Sequence, residues 1–437
     1  MVKKDKLRPE TLSLHAGHDP FAATPMSRAV PIHMTTSYMF RDTDHAARLY
    51  NLEEEGFIYT RLHNPTTDVL EQRLAALYGG SGAVALSSGH AAVSHAVLNI
   101  CSSGHNIVSG SNLYGGTHTL FSHTLPRWGV RTRFVDSSEP ENFARAIDRN
   151  TQALFTEAIG NPLCNVDNLR AIADVAHEHN IPLILDGTVA PPPMFDPFSV
   201  GVDIVALSLT KIIGGHGVAM GGAVIEAGTF NWEASGRFQE ITEPDPSYHG
   251  VVFWEGAEAL KDRPSRAYTL KMVTGLLRNL GACISPMNSF FILQGLETLP
   301  LRAKVHCDNA GAVAEFLDKH EAVTWVTYAG LPDHPDHERA KEYFPLGPGA
   351  LFGFGVAGGV AAGRKFIESV KLCSHLANIL DAKTLVIHPA STTHAQLAEE
   401  EMRHAGVAPD MVRISVGLEN VEDIIADLDQ ALAASQA

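Results

Sequence analysis

Two neighbouring stretches of the sequence decide the fold: IPLILDG at residues 181–187 and DIVALSLTKIIGGHG at residues 203–217. Each contains a short continuous apolar run, which is typical of a strand buried on both faces of a parallel sheet. Between about residues 70 and 227, further apolar runs alternate with segments of helical period such as LRAIADVAHEHN. This alternation predicts an α/β fold with a mostly parallel sheet and covering helices.

Polar groups stand where both predicted strands stop. The first run ends in Asp186 and the second in Ser208, Thr210 and Lys211, with the lysine 25 positions after the aspartate. The carboxyl ends of parallel strands form the usual binding edge of such a sheet. Two hydroxyls on alternate positions of a strand can hold a phosphate while the amine reaches an aldehyde, and a carboxylate can pair with a pyridinium nitrogen. Taken singly, such a lysine is more often a solvated charge and such an aspartate a cap or turn former.

A third candidate is LSSGHAAVSHA at residues 86–96, where Ser88 and Gly89 precede a helix that begins near His90. The free N–H groups and the dipole of a helix N-terminus attract an anion, and a glycine lets the backbone approach it closely. Turns of this composition are common. The stretch is therefore evidence for an anion site only together with the lysine and the carboxylate.

Composition bounds the class of protein. The chain has 437 residues, of which 45% are hydrophobic and 19% charged, and predicts an ordinary globular protein of more than one domain. A net charge of -16 argues against nucleic acid or anionic lipid as a partner. No apolar signal or membrane-spanning segment is visible, so we expect a cytoplasmic protein. The five cysteines form no CxxC pair and the 22 histidines are scattered, so neither disulfides nor a metal site is predicted.

Changes along the sequence predict three parts. Residues 1–64 are irregular and rich in turns, which suggests an arm that packs on another surface. Residues 65–285 form the large α/β domain, with an insertion at about 228–265 that contains EPDPSYHG. Residues 286–437 predict a smaller C-terminal α/β domain closed by the amphipathic helix VEDIIADLDQALAASQA.

Motifs along nearly the whole chain resemble the Cys/Met-metabolism family of pyridoxal-phosphate enzymes, and within it the O-acetylhomoserine sulfhydrylases. The motifs are TLSLHAGHDP, YTRLHNPTTDVLE, SSGHAA, NLYGGT, IGNP, SLTKIIGGHG, EPDPSYHG, LQGLETLPLR, VIHPASTTH and RISVGLE. The EPDPSYHG insertion favours this branch over the cystathionine lyases and synthases. The resemblance implies pyridoxal 5'-phosphate as cofactor and a large domain of fold type I, the aspartate-aminotransferase-like fold. It also implies a homo-oligomer, expected to be a tetramer, whose active sites are shared across a dimer.

The resemblance implies a role for each matched position. Lys211 would bind the cofactor and move protons, and Tyr114 would stack on the cofactor and exchange a proton near the leaving group. Tyr59 and Arg61 would reach the phosphate across a dimer interface, a task that suits the donor fork of arginine. The remaining cofactor contacts would be Ser88, Gly89, His90, Asp186, Ser208 and Thr210.

For the substrate, the resemblance implies contacts at Asn161 and Asn378 and a bidentate clamp on the α-carboxylate at Arg413. The implied reaction is γ-replacement on an O-activated homoserine by sulfide or a thiol. Several positions depart from the usual residues of the branch, and a Leu380 in place of the usual glycine would narrow or tilt the pocket. The other departures are His63, His90, His118, Leu163 and Gly187.

These departures keep alternatives open. The same machinery could serve a γ-lyase, or a substitution enzyme for another γ-substituted amino acid such as methionine or a γ-oxy amino acid like canavanine. A catalytically silent binding or scaffold protein is disfavoured by the intact Lys211, Asp186 and Tyr114. A dinucleotide oxidoreductase is disfavoured because no GxGxxG follows the first predicted strand of the core.

Overall fold

Seven strands form one large sheet in the computed structural model, which describes residues 7–21, 25–160, 163–255, 266–392 and 407–437. The strands are β1 Gly82–Leu86, β2 Asn106–Gly110, β3 Arg131–Val135, β4 Thr151–Glu157, β5 Leu183–Asp186, β6 Ile204–Ser208 and β7 Gly222–Glu226. Their order is β1-β7-β6-β5-β4-β2-β3, and β7 alone runs antiparallel to its neighbours. The predicted α/β fold with a mostly parallel sheet is confirmed.

Continuous apolar runs became strands that are buried on both faces, as expected for a sheet covered by helices. Every residue of β4 and of β1 is buried. Because β7 is antiparallel, its first residue, Gly222, pairs with the last residues of β1 and β6, Leu86 and Ser208. The carboxyl ends of six strands and the start of β7 therefore share one edge.

Helices cover this sheet and continue along the chain. They are α1 Pro9–His15, α2 Thr43–Tyr50, α3 Pro65–Tyr78, α4 Gly89–Leu98, α5 Gly115–Thr119, α6 Glu141–Ala146, α7 Leu169–Glu178, α8 Gln239–Thr242, α9 Ala267–Met272, α10 Arg278–Leu280, α11 Pro286–Glu297, α12 Leu299–Asp318, α13 His337–Tyr343, α14 Gly359–Ser369 and α15 Val421–Gln436. Local sequence sets their ends. Asn64 accepts a hydrogen bond from the backbone of Thr66 at the start of α3, and Gly79 ends α3 with a φ of 70°.

A second sheet of five strands follows in the C-terminal part. Its strands are β8 Val323–Val326, β9 Leu351–Val356, β10 Ser374–His375, β11 Leu385–Ile387 and β12 Met411–Ser415. The order is β10-β11-β12-β9-β8, and only β10 and β11 pair in parallel. Buried apolar side chains from both sheets belong to one continuous core. None of the described helices is both long and apolar enough to cross a membrane.

The N-terminal segment divides into two unlike pieces. Helix α1 packs on α3 of its own chain, where Arg73 Nε donates to the carbonyl of Ala16 at 3.0 Å. Most residues from 32 to 62 are instead exposed or only partly buried. The exposed side chains include Met34 and Met39, which are 68% and 96% accessible. Exposed apolar side chains of this kind are common at contact surfaces, and the arm that packs on another surface stays a prediction.

Candidate active site

The carboxyl edge of the large sheet gathers the polar groups that the sequence pointed to. Ser88 follows β1, Asp186 ends β5 and Ser208 ends β6. Glu157, which ends β4, stands in register with Asp186 on the neighbouring strand. Parallel strands thus bring together residues up to 120 positions apart, from Ser88 to Ser208.

A close backbone approach lies at the start of α4. Ser88 caps this helix by accepting a hydrogen bond from the backbone N–H of Ala91 at 3.1 Å. A Cβ on Gly89 would lie 2.6 Å from Cβ of Ser208, and one on Gly222 would lie 2.0 Å from the carbonyl oxygen of Ser88. Only glycines permit this packing, which leaves the first N–H groups of α4 beside β6.

Lys211 lies in the turn after β6 and connects the two sheets. Its Nζ donates to Oδ1 of Asn378 at 2.5 Å, in the segment between β10 and β11. Burial, and then the positive charge of Arg413, lower the pKa of the Lys211 ammonium. At a given pH, a larger fraction of Lys211 is therefore in the neutral amine form than of a solvated lysine.

Thr210 lies in the same turn and differs from the sequence expectation. Strand β6 ends at Ser208, so the prediction that Ser208 and Thr210 occupy alternate positions of one strand is wrong for Thr210. Its hydroxyl donates to the carbonyl of Gly221 at 3.2 Å and accepts from the N–H of Gly221 at 3.1 Å. The turn, rather than strand alternation, places Thr210 beside Lys211.

Asp186 is held by the residue two positions further on. Its Oδ1 accepts from the N–H of Thr188 at 2.9 Å and from the hydroxyl of Thr188 at 2.5 Å. The same hydroxyl accepts from the N–H of Ser208 at 2.9 Å, which ties β5 to the end of β6. Burial raises the pKa of the Asp186 carboxyl, while both Thr188 donors oppose that rise.

Tyr114 and His90 form one wall beside this edge. The Tyr114 side chain is 50% accessible, and its ring centroid lies 5.6 Å from that of His90. A Cβ on Gly116 would come within 2.4 Å of His90 Nε2, so the imidazole occupies the space above that glycine. Burial lowers the pKa of His90, which favours the neutral ring at pH 7.

The second sheet contributes Arg413 from the middle of β12, where it pairs with Gly353 of β9 and Ile387 of β11. The segment that carries Asn378 is fixed on the same strand, because the N–H of Leu380 donates to Oγ of Ser415 at 2.6 Å. Asn378 therefore contacts Lys211 from the second sheet, and Arg413 on that sheet is close enough for its charge to act on Lys211.

Two expected contacts are not brought to this edge within one chain. Arg61 donates to the carbonyl of Arg278, and its guanidinium lies 5.4 Å from the ring of Tyr59. In the described parts of the chain, no hydrogen bond joins Tyr59 or Arg61 to Lys211. Asn161, the other expected substrate contact, lies outside the described residues.

Three further residues of the site were missed by sequence reasoning. Glu157 accepts from the N–H of Tyr114 at 2.6 Å, and Thr188 holds Asp186 as described. Arg302, in the LPLR motif, is buried and donates to the carbonyls of Ile212 and Ile213 at 2.6 and 3.0 Å, anchoring the turn after Lys211. Of the three, Glu157 could have been found from the sequence, since it ends the predicted strand TQALFTE just as Asp186 ends the predicted strand IPLILD.

The residues that depart from the usual sulfhydrylase sequence have the following surroundings in the structure. Leu380 has a φ of 55° and is fully buried, so its side chain is part of the core and a glycine would suit its left-handed backbone. A Cβ on Gly187 would lie 2.9 Å from Cγ1 of Val205. His118 stacks on Phe134 at 4.7 Å, and Leu163 is partly exposed.

His63 lies at the start of α3 and forms a small polar group there. Its Nε2 is 3.0 Å from Oδ1 of Asp68 and 4.0 Å from Oε2 of Glu71. These three ligand-type atoms lie within 4.8 Å of one another. Burial is the largest influence and acts against a charged His63, but the carboxylates of Asp68 and Glu71 together outweigh it and raise the pKa of the imidazole. The group is explained as an ion-paired start of α3.

The edge as a whole fits pyridoxal phosphate. The start of α4 offers backbone donors to a phosphate, Lys211 offers an amine to an aldehyde, and Asp186 offers a carboxylate to a ring nitrogen. The glycine cradle at Gly89 and Gly222 is the most demanding feature, because a side chain at either position would fill it.

Comparison with known proteins agrees with this donor set. A family model described as Cys/Met metabolism PLP-dependent enzyme matches residues 10–433. The O-acetyl-L-homoserine sulfhydrylase of Leptospira meyeri is 51% identical over 428 residues, which cover 97% of this chain and 96% of that protein. The homocysteine synthase of Schizosaccharomyces pombe is 50% identical over 425 residues, covering 97% of each chain.

Among solved structures, a putative O-acetylhomoserine (thiol)-lyase from Campylobacter jejuni matches with a TM-score of 0.92 at 40% identity. The match covers 98% of this chain and 100% of that one, whose structure contains N'-pyridoxyl-lysine-5'-monophosphate. The likeness extends over both sheets.

Proposed function

Because this chain belongs to the Cys/Met-metabolism family of pyridoxal-phosphate-dependent enzymes, we propose that it catalyses γ-replacement on an O-activated homoserine. The substrate would be O-acetylhomoserine, and sulfide or a thiol would give homocysteine or a thioether. The observation that supports this best is the contact of Lys211, which follows β6 at the edge of the large sheet, with Asn378 of the C-terminal part. The names of the relatives supply the substrate class.

The cofactor would be held from three sides. Its phosphate would accept hydrogen bonds from the start of α4 and from the hydroxyls near Lys211, and Asp186 would face the ring nitrogen. When bound, pyridoxal phosphate supplies an electron sink that stabilises negative charge developing on the substrate. The cofactor contacts in this proposal are Ser88, Gly89, His90, Tyr114, Asp186, Ser208, Thr210 and Lys211.

Protein groups would then orient the substrate and move its protons. Arg413 offers a planar fork that can grip both oxygens of the α-carboxylate, with Asn378 beside it. Lys211, with its lowered pKa, is suited to accept the proton from Cα and to return it. Tyr114 is half exposed beside His90 and would exchange a proton near the leaving group. Asn161 remains a proposed substrate contact.

A second candidate is γ-elimination or γ-substitution on another γ-substituted amino acid. It is favoured by His90, which occupies the space above Gly116 next to Tyr114 and changes the wall of the proposed pocket. The same cofactor residues would serve both reactions.

The test is to incubate purified enzyme with O-acetylhomoserine, O-succinylhomoserine and methionine, with and without sulfide. We expect sulfide-dependent consumption of O-acetylhomoserine, with homocysteine as product and none with Lys211→Ala. Keto acid and ammonia without sulfide would indicate elimination. Consumption of methionine alone would refute the proposed substrate.

We further propose a homo-oligomer, at least a dimer and expected to be a tetramer, in the cytoplasm. Tyr59 and Arg61 would then reach the phosphate of the neighbouring subunit. Support comes from their place in an exposed segment that also presents Met34 and Met39. Residues 1–64, 65–285 and 286–437 remain our proposed arm and domains.

Shared sites can be tested with hybrid dimers. Mixing inactive Lys211→Ala subunits with inactive Arg61→Ala subunits would give one site without either lesion, so part of the activity should return. No recovery despite proven subunit exchange would place Arg61 in the site of its own chain.

A further inference from the structure

Two carboxyl side chains stand next to each other at the edge of the large sheet. Glu157 ends β4 and Asp186 ends β5, and their Cα atoms are direct partners in the parallel register. Paired residues on neighbouring parallel strands project to the same face, roughly 5 Å apart. Glu157 is only 7% accessible. Two negative charges this close and this far from water cannot both form easily.

The hydrogen bonds of the two carboxyls decide which of them is charged. Asp186 accepts two donors from Thr188, at 2.9 and 2.5 Å, and both stabilise its ionised form. Among the described residues, Glu157 accepts a hydrogen bond from one donor, the N–H of Tyr114, at 2.6 Å. Burial, and then the negative charge of Asp186, raise the pKa of Glu157 well above its usual range. The proton of the pair therefore belongs on Glu157.

Other ionisable groups near the pair do not reverse this order. The Tyr78 hydroxyl stays neutral, because burial and then Asp186 raise its pKa. Asp167 adds further negative charge and makes an ionised Glu157 less favourable still. Among the described residues, no cationic side chain lowers the pKa of Glu157.

The contact of Glu157 with Tyr114 reaches the proposed cofactor face. Tyr114 is the N-cap residue directly before α5, and the helical course continues beyond α5 to Trp128. The loop before Tyr114 is held to β3 by a hydrogen bond from Ser111 N–H to the carbonyl of Val135 at 2.9 Å. The bond to Glu157, from a rigid central strand, holds the backbone of Tyr114 against the sheet edge.

We infer that Glu157 is a positioning residue: it fixes the backbone of Tyr114 and remains uncharged beside Asp186, so that Asp186 carries the single negative charge of the edge. This inference rests on the proposed function, because it gives Tyr114 and Asp186 a cofactor to contact. It predicts that a neutral side chain of the same shape can replace Glu157 and that a truncated one cannot.

The test compares Glu157→Gln with Glu157→Ala in the holoenzyme. The amide oxygen of Gln can still accept from Tyr114 N–H and carries no charge. We expect Glu157→Gln to keep the absorption and circular dichroism bands of the bound cofactor, with kcat within about threefold of wild type. Glu157→Ala should shift the dichroism band and lower kcat by at least about tenfold, since Tyr114 is released.

Glu226 supplies the matched control. It is also buried, at the far end of β7, and accepts from the N–H groups of Tyr268 and Thr269 at 3.2 and 2.9 Å. Glu226→Gln should lower thermal stability without shifting the cofactor bands. This separates the general cost of altering a buried carboxyl from the effect on the cofactor face.

Two results would overturn the inference. The first is a Glu157→Gln protein with lost activity and shifted cofactor bands, which would show that Glu157 must be charged. The second is a Glu157→Ala protein whose bands and kcat match wild type. The Gln variant decides the charge state even if the Ala variant fails to fold. Failure of the proposed function would appear differently, as a wild-type enzyme that does not convert O-acetylhomoserine.

Discussion

Replacing Gly89 by alanine tests the closest packing in the site. The added methyl carbon would lie 2.6 Å from Cβ and 3.0 Å from Cα of Ser208. Carbon atoms that are not bonded settle about 3.5–4.0 Å apart, so the start of α4 and the end of β6 must separate by about 1 Å. Overpacking of this kind costs about 1–3 kcal/mol.

The same separation moves the N–H groups proposed to hold the cofactor phosphate. If the full cost of about 1–3 kcal/mol falls on binding, the dissociation constant for pyridoxal phosphate rises roughly 5- to 150-fold. The constant is measured by titrating apoprotein with cofactor and following the visible absorption band.

Gly311→Ala in α12 is the matched control, because no atom lies within 4 Å of its added carbon. This control should bind cofactor like wild type and gain up to about 1 kcal/mol in stability, since alanine favours a helix. Wild-type cofactor affinity in Gly89→Ala would refute the view that the contact of α4 with β6 shapes the phosphate site.

Three further predictions follow from individual contacts. Arg413→Lys keeps the charge but loses the planar fork, so kcat/KM should fall by the equivalent of about 1.5–3 kcal/mol with an unchanged cofactor spectrum; an unchanged kcat/KM would remove Arg413 from carboxylate binding. Burial opposes ionisation of Asp427, but the backbone N–H donors of residues 371–373 outweigh it and lower the pKa of the carboxyl. The ionised Asp427 therefore stabilises the fold above the unfolded-state pKa near 3.8, and this stabilisation is lost as pH falls through the lower folded-state pKa. Asp427→Asn should cost about 1–3 kcal/mol in urea unfolding at pH 7 and less in acid, and a pH-independent difference would contradict the charge argument. The buried Tyr78 hydroxyl has no hydrogen-bond partner among the described residues, so Tyr78→Phe should leave stability unchanged or raise it by up to about 1 kcal/mol; a loss in thermal unfolding would reveal a bond.

Much of the candidate site could be predicted because its signals are local. A buried strand that stops at Asp186, or a serine and a glycine that open a helix at Ser88, is visible within ten residues. Parallel strands then bring such strand ends to one edge whatever their separation in sequence. The positions of Lys211 and Asp186 relative to each other follow from this rule.

Other parts of the site could not be predicted from local patterns. Thr210 was expected on a strand, but β6 stops at Ser208, and Thr210 is held in the following turn by Gly221, eleven residues further along the chain. The left-handed backbone of Leu380 cannot be predicted from its residue type, since leucine rarely adopts this conformation. Both features depend on neighbours that lie far away in sequence.

The sequence by itself determined the α/β class, the binding edge and the lysine and carboxylate on it, because strand periodicity and strand ends are local properties. Only the tertiary structure decided which distant residues contact each other in the site. Glu157 meets Tyr114 across 43 positions and Lys211 meets Asn378 across 167. These contacts depend on the register of β4 against β5 and on how the second sheet packs on the first, and packing between distant segments follows from shape and burial rather than from any short pattern of residues.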